Sequence, residues 1–556
     1  TLFRLEQISG QEHCNLSATI RFGIEDRNFH NQTEYNGGTD HHFSSNIKTF
    51  QNGFEFQPAS DRKLRVIASD GKFNPAPEWS FGLPHTVEQT RGQQGQGDAY
   101  SPGWFEVPLD NPVLLMATAE DPAPEFPIHF EAGRKTRNEE AIAKSALTDK
   151  FGQQLALAAQ AFVVRRNDIK TIIAGSPWFL DWGRDSLICA RGLLAGGMRN
   201  EVLQLLIAFG RFEESGTLPN TIHGADASNR DTSDAPLWYG IVCEELAALA
   251  GTEIYDVQVT PGGRTIREVL FSIAEGYTRG TPNRIHMDAE SALVWSPSHF
   301  TWMDTNYPAG TPREGYPVEI QALWIRILRQ LAQIDNRTQP PHDWNTLATR
   351  AEQSLVQLFW IEEKGWLADV LLAPYGGPAR TATQDDALRS NCVIPLSFDL
   401  IPIEQGRRCL LAVQQHLVIP GALRSLAPLP VSLPLAITGP DWRLLNNPNE
   451  PYWPRYEGDE DTRRKPAYHN GTAWTWTFPG FCEAIVHLWP NSPEALRAAR
   501  AFLGSMSEIL GSGCIGQIPE ILDGNAPHTQ RGCDAQSWGV TEALRVWRLL
   551  SLKSKP

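Results

Sequence analysis

The apolar residues in the N-terminal part of the chain follow a period of two. Ile20, Phe22 and Ile24 alternate with polar or small residues, and residues 54–56 and 64–66 repeat the pattern between turns rich in Asn, Gly and Asp. Such alternation predicts strands with one buried face. Residues 1–120 are therefore predicted to form a β-sandwich, and the proline-rich stretch AEDPAPEFP predicts a linker over residues 121–138.

Beyond residue 138 the period changes to 3.6, which is the repeat of an amphipathic α-helix. One segment shows the pattern together with its start, because Ser492 is a candidate N-cap, Pro493 suits a first turn, and apolar residues recur as far as Leu510. The pattern predicts about twelve helices, which start near Glu139, Asp185, Arg199, Asp234, Arg264, Pro317, His342, Ala387, Glu404, Ala473, Pro493 and Ala535.

The helix predicted from Pro317 is apolar on more than one side, as expected for an inner helix that packs against several neighbours. Twelve helices can pair as six hairpins and close into an (α/α)6 barrel, which gathers the loops before its inner helices at one rim. The predicted fold class is mainly α with an N-terminal all-β domain, and residues 139–556 are predicted to form the barrel.

The formal net charge of −15 offers no basic surface for phosphates, so a nucleic-acid partner is not expected. No run of about eighteen apolar residues predicts a membrane span, and the opening TLFRLEQISG does not have the pattern of a signal peptide. The eight cysteines lack metal-site spacing and are expected to be free thiols in a cytoplasmic protein. No metal or organic cofactor is expected, and the composition leaves the oligomeric state open.

Five segments contain tryptophan, four of them also contain carboxylates, and most of them add arginine or histidine. Indole rings bind the apolar faces of sugars, while charged side chains bind their hydroxyl groups. This combination predicts a carbohydrate site built from PWFLDWGRD (177–185), GTLPNTIHGADASNRDTSDAPLW (216–238), TWMDTNYPAGTPREGYPVEIQALW (301–324), YHNGTAWTW (468–476) and IPEILDGNAPHTQRGCDAQSW (518–538).

Glycoside hydrolysis needs one carboxyl group that donates a proton and a second, ionised one that activates water or attacks the sugar. Arg184 is expected to hold Asp185 ionised, whereas Asp304 follows Trp302 in a segment of low charge that suits an acid. Glu520 lies among apolar neighbours just after a proline. The candidate carboxylates are Asp181, Asp185, Asp234, Asp304, Glu314, Glu319, Glu520 and Asp534.

Purely structural roles remain open for some of these residues. Asp234 is also a reasonable N-cap, and Glu319 a reasonable first-turn carboxylate. Arg184 and Asp185 could form an ion pair at a helix start, with the aspartate stabilised by the helix dipole.

In their order along the chain, the five segments resemble the amylo-α-1,6-glucosidase domain of glycogen debranching enzymes, from about Gly175 to Leu550. The upstream stretches SDGKFNPAPEWSFGLPHTVEQTRG and SPGWFEVPL resemble the N-terminal domain that accompanies this module in microbial chains. The stretch HNGTAWTW departs from the family's HQGT by one amide side chain. The strand–helix alternation of the family's separate glucanotransferase module is missing, so that activity is not expected.

The resemblance implies an (α/α)6 barrel that releases glucose, with inversion, from the α-1,6 branch points of glycogen or limit dextrin. It places the general acid at Asp304 and the general base at Glu520, with Asp234 as the second candidate for the acid. The expected partner is glycogen or another branched α-glucan, in glycogen catabolism. The residues expected to bind substrate are Trp182, Arg184, Asp185, Asp234, Trp302, Arg313, Glu319, His469, Trp474 and His528.

Two alternative hypotheses stay open at this point. The chain could be another exo-acting glucosidase on the same barrel, similar to a glucoamylase, a trehalase or an invertase. It could also be a glucan-binding protein without catalytic activity, although both predicted catalytic carboxylates are present.

Overall fold

The structure is a computed structural model that describes residues 1–7, 16–28, 31–120, 126, 130–166, 169–222, 226–306 and 311–554. The chain divides into two compact units. The first comprises Thr1–Thr136 with Glu457–Asp459, and the second comprises Arg137–Tyr456 with Glu460–Pro556.

The first unit is built mainly from antiparallel strands. A five-stranded sheet has the order β1-β8-β5-β4-β3 and a three-stranded sheet has the order β2-β7-β6, with β1 (Leu2–Leu5), β2 (Ser17–Arg21), β3 (Ile47–Phe50), β4 (Gly53–Ala59), β5 (Arg62–Ala68), β6 (Lys72–Pro84), β7 (Gln96–Pro108) and β8 (Val113–Thr118). The short helices α1 (Gly37–Ser45) and α2 (Thr86–Thr90) complete it.

Both sheets contribute to one apolar core. The ring of Phe54 in β4 lies 5.4 Å from Phe73 of β6 and 6.3 Å from Phe105 of β7, measured between centroids. The strands predicted around residues 20, 55 and 65 are present as β2, β4 and β5. Ile20 of β2 is partly buried, whereas Phe54 and Phe56 of β4 and Val66 of β5 are buried.

α-Helices are the main regular elements of the remaining chain. The helices are α3 (Phe130–Ser145), α4 (Lys150–Gln160), α5 (Gly183–Ala195), α6 (Arg199–Arg211), α7 (Ala235–Ala250), α8 (Ile266–Arg279), α9 (Val318–Ile334), α10 (Trp344–Phe359), α11 (Val393–Ser397), α12 (Ile403–His416), α13 (Lys465–Tyr468), α14 (Phe478–Leu488), α15 (Pro493–Gly504), α16 (Met506–Leu510) and α17 (Ser537–Lys553). None of the helices in the described ranges is long and apolar enough to cross a membrane.

Six of these helices contact one another in succession. Helix α5 packs against α7, α7 against α9, α9 against α11, α11 against α14, α14 against α17, and α17 against α5. Helix α9, predicted as an inner helix, is buried along most of its length. A large apolar core therefore lies among these helices, and it includes the fully buried Trp295 and Trp324.

Short strands lie between the helices: β9 (Val163–Arg166), β10 (Ile169–Ile172), β11 (Gly175–Ser176), β12 (Asp181–Trp182), β13 (Thr221–Ile222), β14 (His286–Met287), β15 (Val294–Trp295), β16 (Gly315–Pro317), β17 (Trp360–Ile361), β18 (Trp366–Leu367), β19 (Val370–Leu372), β20 (Thr383–Gln384), β21 (Val418–Ile419), β22 (Ala422–Arg424), β23 (Ala473–Trp474), β24 (Ile521–Leu522), β25 (Gln530–Arg531) and β26 (Ala535–Gln536). The largest sheet among them has the order β21-β22-β23-β24-β25.

Three helix starts differ from the sequence prediction. Helix α3 begins at Phe130, so residues 130–138 of the predicted linker are helical; the linker residues 121–125 and 127–129 lie outside the described residues. Helix α11 spans only Val393–Ser397. Helix α14 begins at Phe478 because Ala473 and Trp474 pair with the neighbouring strands β22 and β24 instead.

Candidate active site

A cavity of about 170 Å³ brings together residues from four of the five tryptophan-bearing segments. Both predicted catalytic carboxylates, Asp304 and Glu520, line it. The other lining residues are Phe179, Trp182, Arg184, Asp185, Trp302, Tyr468, Trp474, Gln536 and Trp538. Because four separate segments meet at this one cavity, it is the candidate active site.

Arg184 is the centre of a buried charge network at the first turn of α5. Its Nε donates to Oδ2 of Asp234 at 2.6 Å, its Nη1 to Oδ2 of Asp304 at 3.2 Å, and its Nη2 to the carbonyl of Thr301 at 3.0 Å. Arg184 is only 2 % exposed. The guanidinium therefore fixes Asp304 and the neighbouring backbone at Thr301 within the cavity wall.

Asp304 keeps contact with the cavity, since 31 % of its side-chain surface is exposed. Burial is the largest influence on this carboxyl and raises its pKa, with the charge of Asp234 adding to the effect and the charge and hydrogen bond of Arg184 opposing it. A carboxyl group with a raised pKa holds a proton at a higher pH than a solvated aspartate does. This property suits a proton donor.

Asp185 does not behave as the sequence predicted. The Arg184 guanidinium points to Asp234 and Asp304, while Oδ1 of Asp185 accepts a 3.1 Å hydrogen bond from Nε2 of Gln536. Burial raises the pKa of Asp185 to about 8 against the Arg184 charge, helped by the charges of Glu520 and Asp304. The expectation that Arg184 holds Asp185 ionised is therefore wrong, and near pH 7 this carboxyl is mostly protonated.

Glu520 is fixed by two donors at the start of β24. The hydroxyl of Tyr468 donates to Oε1, and the backbone N–H of Cys533 donates to Oε2 at 2.9 Å. The Glu520 backbone N–H donates to the carbonyl of Cys533 at 2.9 Å, and its carbonyl accepts from Thr475. Hydrogen bonds from hydroxyl and amide donors orient the carboxylate without neutralising it.

The close approach of Gly532 explains why the turn after β25 can hold Glu520 this tightly. Gly532 has a φ of +71°, and a Cβ added there would lie 2.3 Å from Oε2 of Glu520. A side chain at this position would displace the carboxylate, so the glycine both permits the backbone conformation and leaves room for Glu520.

Aromatic side chains form much of the cavity wall. Trp302 and Trp474 meet edge to face, with centroids 5.0 Å apart at 77°. The indole N–H of Trp302 donates to Oδ1 of Asn391 at 2.6 Å, and that of Trp474 donates to the carbonyl of Tyr468 at 2.9 Å. The rings are thus held in fixed orientations and present rigid apolar faces to the cavity.

Five residues predicted to bind substrate do not line this cavity, and Asp234 is the first of them. Its Oδ2 accepts from Arg184, and its Oδ1 accepts from the hydroxyl of Thr232 at 2.7 Å. The residue is 1 % exposed at the start of α7. Both carboxylate oxygens of Asp234 therefore accept hydrogen bonds from within the protein, in the network that also orients Asp304.

Arg313 and Glu319 belong to a second buried network. Arg313 donates to both oxygens of Glu319, at 2.6 and 2.7 Å, and its Nε donates to Asp369 at 2.6 Å. Its Nη1 also reaches the hydroxyl of Thr301 at 2.9 Å. These side chains support the segment that carries Asp304 instead of facing the cavity.

The two predicted histidines also lie away from the cavity. His469 is fully buried, with Nδ1 2.5 Å from the hydroxyl of Thr305 and its ring stacked on Trp474 at 5.1 Å. Burial, followed by the charge of Arg389, lowers the pKa of His469 well below its ordinary value. His528 lies in the turn between β24 and β25, where Nδ1 contacts the carbonyl of Asp523 at 3.0 Å.

Four lining residues escaped the sequence prediction: Phe179, Tyr468, Gln536 and Trp538. All four lie inside segments that the sequence singled out, although the sequence did not single out these four side chains. The sequence offers little reason to select Tyr468, because a single uncharged tyrosine between an alanine and a histidine belongs to no recognisable motif.

Among the residues that the structure describes, no group of three or more His, Cys, Asp or Glu side chains is arranged to hold a metal ion. The seven cysteines within the described ranges are free thiols, and all but Cys514 are buried. Cys14 lies outside those ranges.

Family models match both parts of the chain. The model for amylo-α-1,6-glucosidase matches residues 157–433 and 437–545, and the model for the N-terminal part of glycogen debranching enzyme matches residues 2–112. A curated relative, the glycogen debranching enzyme of Saccharomyces cerevisiae, is 22 % identical over 448 residues, which cover 65 % of this chain. The match spans only 28 % of that longer protein.

Solved structures resemble the chain at low sequence identity. A bacterial glucoamylase complexed with acarbose has a TM-score of 0.52 at 12 % identity and covers 90 % of this chain and 73 % of its own. A GH63 mannosylglycerate hydrolase from Thermus thermophilus, in complex with Tris, has a TM-score of 0.48 at 13 % identity. The match covers 71 % of this chain and 99 % of that hydrolase chain. The likeness to the glucoamylase concerns the fold.

Proposed function

Because the chain belongs to the amylo-α-1,6-glucosidase family of glycoside hydrolases, we propose that it releases glucose from the α-1,6 branch points of glycogen or a limit dextrin. The observation that carries this proposal is that Asp304 and Glu520 line the same tryptophan-walled cavity. We place the activity in glycogen catabolism in the cytoplasm, with a branched α-glucan as substrate and no metal or organic cofactor.

The helix contacts support a barrel for this enzyme. The succession α5, α7, α9, α11, α14, α17 returns to α5, and helices α6, α8, α10, α12 and α15 alternate with these six along the chain. We propose that the six form the inner ring of an (α/α)6 barrel. In that arrangement the segments before α5 and α17 meet at one rim, where the candidate active site lies.

Asp304 is proposed as the general acid. It faces the cavity, its pKa is raised by burial, and its hydrogen bond to Arg184 sets its direction. In its protonated form it would donate to the glycosidic oxygen as the bond to the leaving glucan breaks. Asp234 is less suited to this role, because both of its oxygens are engaged by Arg184 and Thr232 away from the cavity.

Glu520 is proposed as the general base. The donors Tyr468 and Cys533 stabilise the ionised carboxylate and fix its orientation. It would take a proton from a water molecule that attacks the anomeric carbon from the face opposite Asp304, which inverts the anomeric configuration. For that geometry the two carboxyl groups are expected to lie about 6.5–9.5 Å apart in the enzyme–substrate complex.

The cavity itself is proposed to bind the terminal glucose. Its volume of about 170 Å³ suits a single sugar unit, which agrees with exo-action on one-glucose branches. Trp182, Trp302, Trp474 and Trp538 supply apolar surfaces, and the protonated Asp185 can donate a hydrogen bond to a hydroxyl group. Arg184 acts mainly by positioning Asp304.

A second candidate is an exo-acting glucosidase for another linkage, similar to a glucoamylase. The likeness in fold to the bacterial glucoamylase favours it, with a TM-score of 0.52 over 90 % of this chain. The same two carboxylates would serve it, and only the preferred linkage would differ.

Product analysis separates the two candidates. The enzyme is incubated with a linear maltodextrin that carries a single α-1,6-linked glucose, and in parallel with the unbranched maltodextrin, sucrose and trehalose. Glucose from the branched substrate alone supports the debranching proposal. Glucose from the unbranched chain at an equal or higher rate supports the glucoamylase-like candidate, and release from sucrose or trehalose points to an enzyme of those classes.

A further inference from the structure

A second and larger cavity, of about 870 Å³, lies at the other end of the same helices. The candidate active site uses the first turns of α5 and α17, whereas this cavity is lined by residues near their ends, such as Leu194 and Leu552. From the rise per residue, the nearest residues of the two cavities are about 9 Å apart along α5 (Asp185 and Arg191) and about 10 Å apart along α17 (Trp538 and Arg545). A ligand in the second cavity would not contact Asp304 or Glu520.

This second cavity carries an excess of positive charge, although the whole chain carries a net charge of −15. Seven of its lining residues are Lys or Arg, and three are Asp or Glu. Glu244 and Glu542, which bind lining arginines, bring the carboxylates to five. A concave surface that concentrates charge of one sign raises the local concentration of ligands of the opposite sign.

Three of the seven cations are already paired within the protein. Arg191 binds Glu245, Arg326 binds Glu244 and Glu245, and Arg545 binds Glu483 and Glu542. The three most buried of the seven cations are therefore neutralised by carboxylates, and these ion pairs form the polar base of the cavity.

The other four cations are Lys144, Arg199, Arg548 and Lys553. The ion pairs found among the described residues do not include them, although the charge of Lys144 contributes to the lowered pKa of Glu201. Arg548 donates to the carbonyl of Ala195, at the end of α5. Burial and the neighbouring charge of Arg199 lower the pKa of Arg548, so the two guanidinium groups repel each other. An anion between them would relieve this repulsion and supply the missing counter-charge.

The same cavity has an apolar part. Leu249 and Leu552 line it and are 44 % and 58 % exposed, and Leu194 and Phe398 lie deeper. A volume of several hundred Å³ with apolar walls and a few charged groups is typical of a small-molecule site. Inorganic phosphate alone would leave the apolar walls uncovered.

We propose that this cavity binds a small phosphate ester, whose phosphate group lies among Lys144, Arg199 and Arg548 and whose organic part covers Leu249 and Leu552. The phosphate group is the shared chemistry of two sources, a nucleoside phosphate and a sugar phosphate. The size of the cavity and its leucine side chains favour the nucleoside phosphate, since a purine ring covers more apolar surface than a sugar does.

The test is isothermal titration calorimetry of the full chain with AMP, glucose 6-phosphate and inorganic phosphate at low ionic strength. AMP is expected to bind one to one with a Kd below about 1 mM. The variant Lys144→Gln/Arg199→Gln, which changes two exposed side chains, is expected to weaken this binding about tenfold. Arg497→Gln is the matched control, because this arginine pairs with Glu494 on α15 and does not line the cavity.

The outcomes distinguish the possibilities. Tighter binding of glucose 6-phosphate than of AMP, with the same loss in the double variant, supports the site with the sugar phosphate as its ligand. Binding that is equal in the double variant and the wild type overturns the proposal, as does the absence of binding by all three compounds at about 5 mM. A parallel titration of Glu520→Gln, with unchanged affinity, excludes binding at the candidate active site, and thermal melting of each variant confirms that it is folded.

Discussion

Arg184 donates a hydrogen bond of 3.2 Å to Asp304, and the pKa of Asp304 is nevertheless raised. The reason is that burial outweighs the attraction of the guanidinium, whose shorter bond goes to Asp234 at 2.6 Å. Asp304 is therefore oriented by a cation without being held ionised by it. The fixed orientation and the raised pKa together are the physical reason for proposing Asp304 as the general acid.

Replacing Asp304 with asparagine should remove the proton donor and leave the cavity shape unchanged. We expect kcat on a single-glucosyl branched dextrin to fall by about a hundredfold to ten-thousandfold, with little change in KM. The control is Asp534→Asn, which alters an exposed carboxylate in the last tryptophan-bearing segment. Steady-state glucose release measures both, and equal activity of Asp304→Asn and Asp534→Asn would contradict the assignment.

The pH dependence follows from the same raised pKa. An acid catalyst is active while it holds its proton, so the rate should fall as the pH rises through the pKa of Asp304, which lies above that of an ordinary aspartate. A kcat/KM profile of the wild type should show this fall on its alkaline side. In Asp304→Asn the residual kcat/KM should no longer fall at alkaline pH. If kcat/KM of that variant still falls with the same midpoint as in the wild type, another residue is the acid.

Asp185 predicts a pH-dependent stability. Its pKa is about 8 in the folded protein and about 3.9 in an unfolded chain. Between these values the folded state holds a proton that the unfolded state releases, so stability is lost as the pH rises from about 4 to about 8.

The variant Asp185→Asn lacks this proton linkage and can still accept from Gln536. Its Tm relative to the wild type should therefore increase steadily between about pH 4.5 and about pH 8. Thermal unfolding at three pH values in this window tests the prediction. A difference in Tm that stays constant, or that shrinks with rising pH, would show that Asp185 is ionised in the folded protein.

Tyr468 positions Glu520 through a single hydroxyl group. Tyr468→Phe should lower kcat by about tenfold, because Oε1 of Glu520 loses the hydroxyl donor that orients it while the aromatic wall remains. Tyr456→Phe is a close control, since its ring lies 5.3 Å from that of Tyr468 and its hydroxyl accepts from Arg464. If both variants lose activity equally, the effect comes from packing and the positioning role is refuted.

Gly532 offers a test based on shape. In Gly532→Ala the new Cβ would meet Oε2 of Glu520 at 2.3 Å, so kcat should fall at least about tenfold. Gly376→Ala has a similar φ of +76° and open space around it. The backbone conformation should cost each variant about 1 kcal/mol of stability, and the contacts with Glu520 and Ile521 should destabilise Gly532→Ala further. Only Gly532→Ala should lose activity, as measured by kcat beside Tm.

Periodicity alone located most helices of the second unit. Helix α6 begins at Arg199 as predicted, and Ser492 caps α15 by accepting from the N–H of Ala495 at 3.1 Å. These features are local, so the sequence carries them directly. The start of α14 could not be located in the same way, because Ala473 and Trp474 form a strand only through pairing with β22 and β24, which are distant along the chain.

The same distinction explains the candidate site. The tryptophan-bearing segments were recognisable, yet Arg184 and Arg313 look alike in the sequence, because each precedes a carboxylate within such a segment. Arg184 lines the cavity and Arg313 does not. Arg313 instead donates to Asp369 in a buried network, and Asp369 lies outside every recognised segment. Likewise Tyr468 lines the cavity while the adjacent His469 is buried behind it, and only the folded backbone determines which neighbour faces inward.

Proton NMR of the first minutes of reaction tests the central claim most directly, because one spectrum reports the product and its anomer. The substrate is a maltodextrin with a single α-1,6-linked glucose, given separately to the wild type, Asp304→Asn and Glu520→Gln. We predict that the wild type first forms β-glucose, which then mutarotates, and that neither variant forms it at a comparable rate. Initial α-glucose, or glucose release that survives in both variants, would contradict an inverting mechanism run by these two carboxylates.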